Sequence, residues 1–265
     1  MVDELIEHHD VGSIGLGIPG LVTLDGRLRY GPNVDGVLDL DLVSLLRQRT
    51  GLPTRATNDG SCAALAESRL GAGRGVANLL FIAQGTGIAG GLIVDGVLAL
   101  GANGFAGEPG HMLVQDSGPL CACGRIGCWE AVASGTALAN LAHELGPAST
   151  VASWIPAAER DRPLIGEDVA AAFERGDPVA AAVFDRFAYW TARGIGSLIN
   201  LLDPELVVLG GGVARSGAHF VAAVARQVDA FVLGAAHRPS VPVVGAHFVE
   251  RAGVVGAALF GAERS

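Results

Sequence analysis

The 265-residue sequence predicts an α/β protein of two lobes with one loop built around cysteines. Three observations predict it. Short apolar runs alternate with segments of helical spacing along the whole chain. There are 39 glycines, many at the ends of those runs, where tight turns and phosphate-type loops belong. Three of the four cysteines, Cys121, Cys123 and Cys128, fall within eight positions. The length is enough for one large or two medium domains with real cores. Half the residues are hydrophobic and 17% are charged, which excludes a disordered chain. A formal charge of −9 argues against unassisted binding to nucleic acid or an anionic membrane. No apolar run is long enough to span a bilayer. Met1 is followed by Asp3, Glu4 and Glu7, the wrong flank for a signal peptide, so a reducing cytoplasm is expected.

Taken in order, residues 1–9 read as the tail of an acidic helix and Val11 to Ile18 as a buried strand. Leu21 to Tyr30 reads as a hairpin about Asp25-Gly26. Leu38 to Thr50 has helical spacing and stops at Gly51. Thr54 to Thr57 is a short strand, Asn58-Asp59-Gly60 ends it, and Ser61 to Leu70 is helical with Cys62 on its inner face. Asp59 in that setting is either an ordinary helix N-cap or a general base. Gly71 to Gly75 is a glycine-rich break, taken as the hinge between a first lobe (1–75) and a second (76–251). Val76 to Ala83 and Ile88 to Val94 are strands flanking Gly85-Thr86-Gly87, which is either a tight hairpin or a cradle of N–H groups for phosphate. Helices follow at Ser134 to Leu145, Asp168 to Arg175 and Pro178 to Leu202. A strand at Leu206 to Leu209 runs into Gly210-Gly211-Gly212 and a helix from Gly217 to Val232. That order suits a nucleotide as well as it suits a crowded turn. A last strand, Val241 to Val244, precedes a small-residue helix from Ala252 to Gly261.

The stretch from Gly104 to Glu130 carries the most specific chemistry. It reads G-F-A-G-E-P-G-H, nine residues, then C-A-C-G-R-I-G-C-W-E. His111 lies ten residues before the C-x-C-x4-C run. One imidazole and three thiolates make a closed tetrahedral Zn²⁺ site of the structural kind. Glu108 and Glu130 flank those ligands, so a metal that folds the loop also fixes both carboxylates. Paired carboxylates with an imidazole suit hydrogen bonding to the hydroxyls of a sugar.

These two motifs together resemble the signature of the ROK family of sugar kinases and sugar-responsive repressors, and the resemblance runs over essentially the whole chain. It implies the actin-like ATPase (ribonuclease H-like) fold. It matches Asn58-Asp59 to the family's catalytic N-D element, making Asp59 the general base. It matches Gly31-Pro32-Asn33 to an element at the mouth of the sugar site, with Val37 where an aromatic is usual. It implies that Asn33, Asn58, Glu108, His111 and Glu130 hold the sugar. Gly85, Thr86 and Gly87 match the phosphate hairpin, with Ala89 in place of a glycine. Gly210, Gly211 and Gly212 fall where ATP sits, and the final helix, to residue 265, crosses back onto the first lobe. The implied activity is a glucokinase-like, ATP- and Mg²⁺-dependent phosphorylation of a hexose, glucose before others, by a homodimer or higher homo-oligomer. The alternatives are a non-catalytic sugar-sensing domain of a repressor and a sugar-binding pseudokinase. The family's D-x-G-G-T hairpin does not occur before Gly12, so the first lobe is expected to be incomplete. The accompanying expectation is a chain that binds a hexose but turns over ATP poorly.

Overall fold

The protein was analysed as a computed structural model that describes residues 2–31, 38–213 and 218–263. Asn33, Val37 and Gly217 lie outside the described residues. The central sheet follows from β6 (Leu79–Gln84), a strand apolar on both faces. Alternation sends Leu80 and Ile82 into one core and Leu79 and Phe81 into another. β6 is antiparallel to β7 (Ile88–Val94), which is antiparallel to β8 (Val97–Leu98). On its other edge β6 is parallel to β9 (Leu206–Gly210), and β9 to β10 (Val243–Gly245). One face carries α8 (Pro178–Leu202), whose Phe184, Phe187 and Ile195 join α5 (Gly135–Leu145), α7 (Gly166–Glu174) and α9 (Ala218–Val228). Pro at its first position and Asp177 as N-cap start α8, and Asp203 in the left-handed region ends it.

The other face carries α3 (Asp59–Leu70). Nine consecutive residues of α3, Gly60 to Ser68, are buried, as a helix enclosed on all sides must be. Beyond α3 lie the parallel pair β1 (Ile14–Ile18) and β5 (Thr54–Asn58), and the small antiparallel sheet of β2 (Leu21–Val22), β3 (Leu28–Tyr30) and β4 (Leu38–Leu40). These, with α1 (Val2–His8) and α2 (Leu42–Thr50), complete the first region. The helix expected from Leu38 therefore begins four residues later. Leu38 and Leu40 pair with β3, and Asp41 caps α2 through Ser44 N at 2.9 Å. Two short helices not expected from the sequence are α4 (Glu130–Ala133) and α6 (Ala148–Trp154).

α10 (Ala252–Ala262) returns from the far end of the chain to lie against α3 and β1. Glycines set the distance: a Cβ on Gly256 would overlap the Cys62 carbonyl, and one on Gly15 the Ala257 carbonyl. Where the chain passes out of α3 and back into α10, Glu67 holds both passages. Its carboxylate is fully buried and accepts from Ala72 N at 2.9 Å, His247 N at 3.0 Å and Phe248 N at 2.8 Å. No helix among the described residues is long and apolar enough to cross a membrane.

Candidate active site

Two parallel pairs of strands, β1 with β5 and β6 with β9, lead to one place. Pro19 and Gly20 follow β1, Asn58 ends β5 and Asp59 follows it, Gly85 follows β6 and Gly211 follows β9. Ligands of open α/β sheets sit at the carboxyl ends of such strands. A cavity of about 640 Å³ is lined there by Asn58, Asp59, Gly85, Thr86, Gly87, Glu108, His111, Glu130 and Gly211. The structure thus brings together most of the residues the sequence singles out. Gly212 lines an adjoining cavity, and Gly210 lines neither, its Cα facing the Phe81 ring within β9.

The cap of α3 is supplied by the residue before Asp59. Asn58 Oδ1 caps α3, accepting from Gly60 N at 2.8 Å and Ser61 N at 3.3 Å. Its Nδ2 donates to Gly20 O at 3.0 Å and Glu108 Oε1 at 3.3 Å. All four hydrogen-bonding sites of the amide are therefore engaged within the protein. Asp59 is left at the first helical position, its side chain accepting from its own following amide, Gly60 N, at 2.9 Å. Burial raises its pKa above the ordinary aspartate value, opposed by that amide. Burial, with the charges of Asp59 and Glu130 nearby, pushes Glu108 up to about 7.

Glu130 opens α4 and joins three parts of the site. Its Oε2 accepts from Ile88 N at 2.9 Å, its Oε1 lies 3.5 Å from Cys121 Sγ, and its side chain lines the cavity. The buried Trp129 anchors that turn by donating to Trp190 O at 2.8 Å. The loop at Gly85 is closed on itself by Gly85 N to Gly87 O at 2.9 Å and held to the start of α5 by Gly135 N to Gly85 O at 2.7 Å. Gln84 fixes the strand end behind it, donating to Ala133 O at 2.6 Å and Thr191 Oγ1 at 2.9 Å. Gly211, at φ 83°, packs against the Gln84 backbone, where no side chain fits.

His111, Cys121, Cys123 and Cys128 converge, their ligand atoms all within 4.8 Å of one another. Cys123 Sγ and Cys128 Sγ are 3.7 Å apart. A tetrahedron with Zn–S bonds of about 2.3 Å places its sulfurs about 3.8 Å apart, whereas a disulfide needs about 2.05 Å. All four cysteines are free. Burial raises the Cys121 thiol to about 12 and raises Cys128 as well, a cost that a divalent ion removes by binding the thiolates. The donor set fits a closed metal site. His111 turns Nδ1 towards Cys121 at 3.8 Å while its ring also lines the cavity. Tyr30 and Arg125 line the cavity too, and neither is singled out by a motif in the sequence. Arg125 sits inside the cysteine run and could have been found from that position.

Residues 1–263 match the ROK family. A glucokinase of Halalkalibacterium halodurans is 36% identical over 232 residues, covering 85% of this chain and 70% of its own length. An N-acetylmannosamine kinase of Yersinia pestis is 35% identical over 254 residues, covering 95% and 80%. The solved structure of a ROK family glucokinase from Streptomyces griseus, in complex with glucose and AMPPNP, superposes with a TM-score of 0.89 at 34% identity, covering 98% of this chain and 84% of that one.

Proposed function

The chain belongs to the ROK family, with its actin-like ATPase fold, and from that premise we propose that it phosphorylates a hexose at the expense of ATP, converting glucose to glucose 6-phosphate. The observation that carries the reading is the cavity in which Asp59 stands free of capping duty, faced by Glu108, His111 and Glu130 and floored by Gly85 to Gly87. Glu108, His111 and Glu130 hold the sugar hydroxyls, and Asn33, outside the described residues, is assigned the same role by the family resemblance. Asn58 acts chiefly by orienting Glu108. Asp59 takes the proton of the attacking hydroxyl, for which its raised pKa suits it. The amides of Thr86 and Gly87 cradle the phosphates while the Gly85 amide closes the turn on Gly87 O, and Gly211 and Gly212 receive the rest of the nucleotide. Mg²⁺ brought with ATP offsets charge on the transferring phosphate.

His111, Cys121, Cys123 and Cys128 hold a structural Zn²⁺, which keeps the loop from Gly104 to Glu130 rigid. Positioning supplies most of the rate in phosphoryl transfer, so a rigid sugar wall is the useful property. The first lobe comprises residues 1–75 with the returning helix α10, and the second residues 76–251. They pivot about the passages held by Glu67, and closure excludes water. Calorimetric titration with glucose, beside a coupled assay for ADP release with and without glucose, tests the reading. Saturable glucose binding and glucose-dependent ADP release are expected. A chain that binds no hexose overturns it.

A further inference from the structure

The three cysteines of the loop differ in what can reach them. Cys121 and Cys128 are buried, at 4% and 0% exposure, whereas Cys123 is half-buried and lines the sugar cavity. The Cys123 sulfur is in contact with that of Cys128, at 3.7 Å. Cys121 is engaged on another side, its sulfur 3.8 Å from His111 Nδ1 and 3.5 Å from Glu130 Oε1. The fourth cysteine, Cys62, is fully buried in α3.

The chain between Cys123 and Cys128 is bent for their approach. Gly124 and Gly127, which begin and end the intervening residues, stand at φ 85° and 83°. A disulfide needs its sulfurs about 2.05 Å apart, so the pair must close by about 1.6 Å. Side-chain rotation in so short a turn covers that distance. The exposed member of the pair therefore faces the cavity, and its partner waits behind it.

Resting on the hexose-site reading, we propose that Cys123 is a peroxide-sensitive modification site guarded by the sugar. With the cavity empty, hydrogen peroxide oxidises Cys123 and Cys128 closes a disulfide on it. With a hexose bound, the sugar covers Cys123 and the reaction stops. In the first step the Cys123 sulfur attacks a peroxide oxygen, the O–O bond breaks, and a sulfenic acid and water are formed. In the second the Cys128 sulfur displaces the sulfenic hydroxyl, giving the disulfide and another water. The two thiols together lose two hydrogens and two electrons, and one hydrogen peroxide takes them up. Bridging removes two donors from the set of His111 and three cysteines. It also pulls on Glu130, two residues beyond Cys128 and beside the Cys121 sulfur. By reciprocity, a sugar that guards Cys123 must bind the bridged chain less well.

The test treats the chain with hydrogen peroxide, with and without glucose at about ten times its measured Kd, followed by tryptic digestion and mass spectrometry. Arg125 lies between the pair, so trypsin parts Cys123 from Cys128 unless they are bridged. One bridge is expected, assigned by fragmentation to Cys123 and Cys128, with Cys62 unmodified and a dithiol reversing the change. A reaction confined to the empty cavity slows by 1 + [L]/Kd, about 11-fold at that glucose concentration. By calorimetry the bridged chain should bind glucose about 10-fold or more weakly than the untreated one. A bridge through Cys121 or Cys62, oxidation to sulfinic acid without a bridge, a rate unmoved by glucose, or undiminished glucose binding by the bridged chain each overturns the proposal. None of these outcomes needs a variant to fold. Calorimetry on the untreated chain separates the two readings. No glucose binding there ends the kinase reading and the inference with it, whereas glucose that binds without protecting Cys123 ends the inference alone.

Discussion

Replacing Glu67 by Gln tests how the passages out of α3 and into α10 are held. The change preserves shape and removes one acceptor oxygen and the charge. Oε2 serves Ala72 N and His247 N, and Oε1 serves Phe248 N, with no side chain cation among the recorded partners. A glutamine keeps its oxygen best where two amides converge, so its NH₂ then faces the Phe248 amide, donor to donor. One charge-assisted hydrogen bond is lost, at about 1.5–3 kcal/mol, and the other two become neutral and weaken by roughly half. The sum is roughly 3–6 kcal/mol, a large share of the ~5–15 kcal/mol that stabilises a typical domain. Urea unfolding followed by circular dichroism should show a midpoint lowered by about 1 M for a chain of this size. Hydrogen exchange should quicken first at Ala72, His247 and Phe248. A variant whose midpoint moves by less than about 0.2 M, with those amides still protected, would refute the idea that this carboxylate secures the hinge.

Three further outcomes are expected. Asp59→Asn should lower the rate of glucose-dependent ADP release by ~10²–10⁴-fold with glucose affinity little changed. It should leave the melting temperature intact, because Asn58 supplies the cap; near-normal turnover would remove Asp59 from the chemistry. Elemental analysis should find one Zn²⁺ per chain, and Cys123→Ala should lose it together with glucose affinity; a metal-free native chain with intact affinity would sink the assignment. The pH behaviour follows from Glu108, whose folded value of about 7 exceeds its ordinary 4.5. Its protonation favours the folded state fully below 4.5, and that contribution is lost as pH rises through about 7. Urea midpoints should therefore fall across that window more steeply in the parent than in Glu108→Gln, and parallel slopes would contradict the assignment.

Much of the architecture was legible where pattern and punctuation agree. β7 and α8 begin and end where the sequence predicts, α8 because Asp177-Pro178 and Asp203-Pro204 bracket its period. β4 was not legible, since Leu38 to Leu40 also suits a helical face; pairing with β3 decided it. The His/Cys cluster that could hold a metal and the carboxylates beside it could be read from spacing alone, and they meet in space. The division of labour between Asn58 and Asp59 could not, because either residue can cap a helix. What separates them is the position of Gly20 and Glu108 on other elements. Glu67 looks like any helical glutamate until the passage near Phe248 is seen to close over it.

The glycine contacts of α10 have a consequence for the order in which the chain is made. β1 and α3 are complete within the first 70 residues, yet the helix that covers them starts at Ala252. At translation rates of roughly 5–20 residues per second, the uncovered surface waits on the order of 10–40 s for its partner. Close backbone approach at Gly15 and Gly256 leaves little tolerance for a substitute. A chain arrested before Ala252 should accordingly be cut by protease within α3, and one released with α10 in place should resist; equal resistance in both would show that the nascent lobe closes without its last helix.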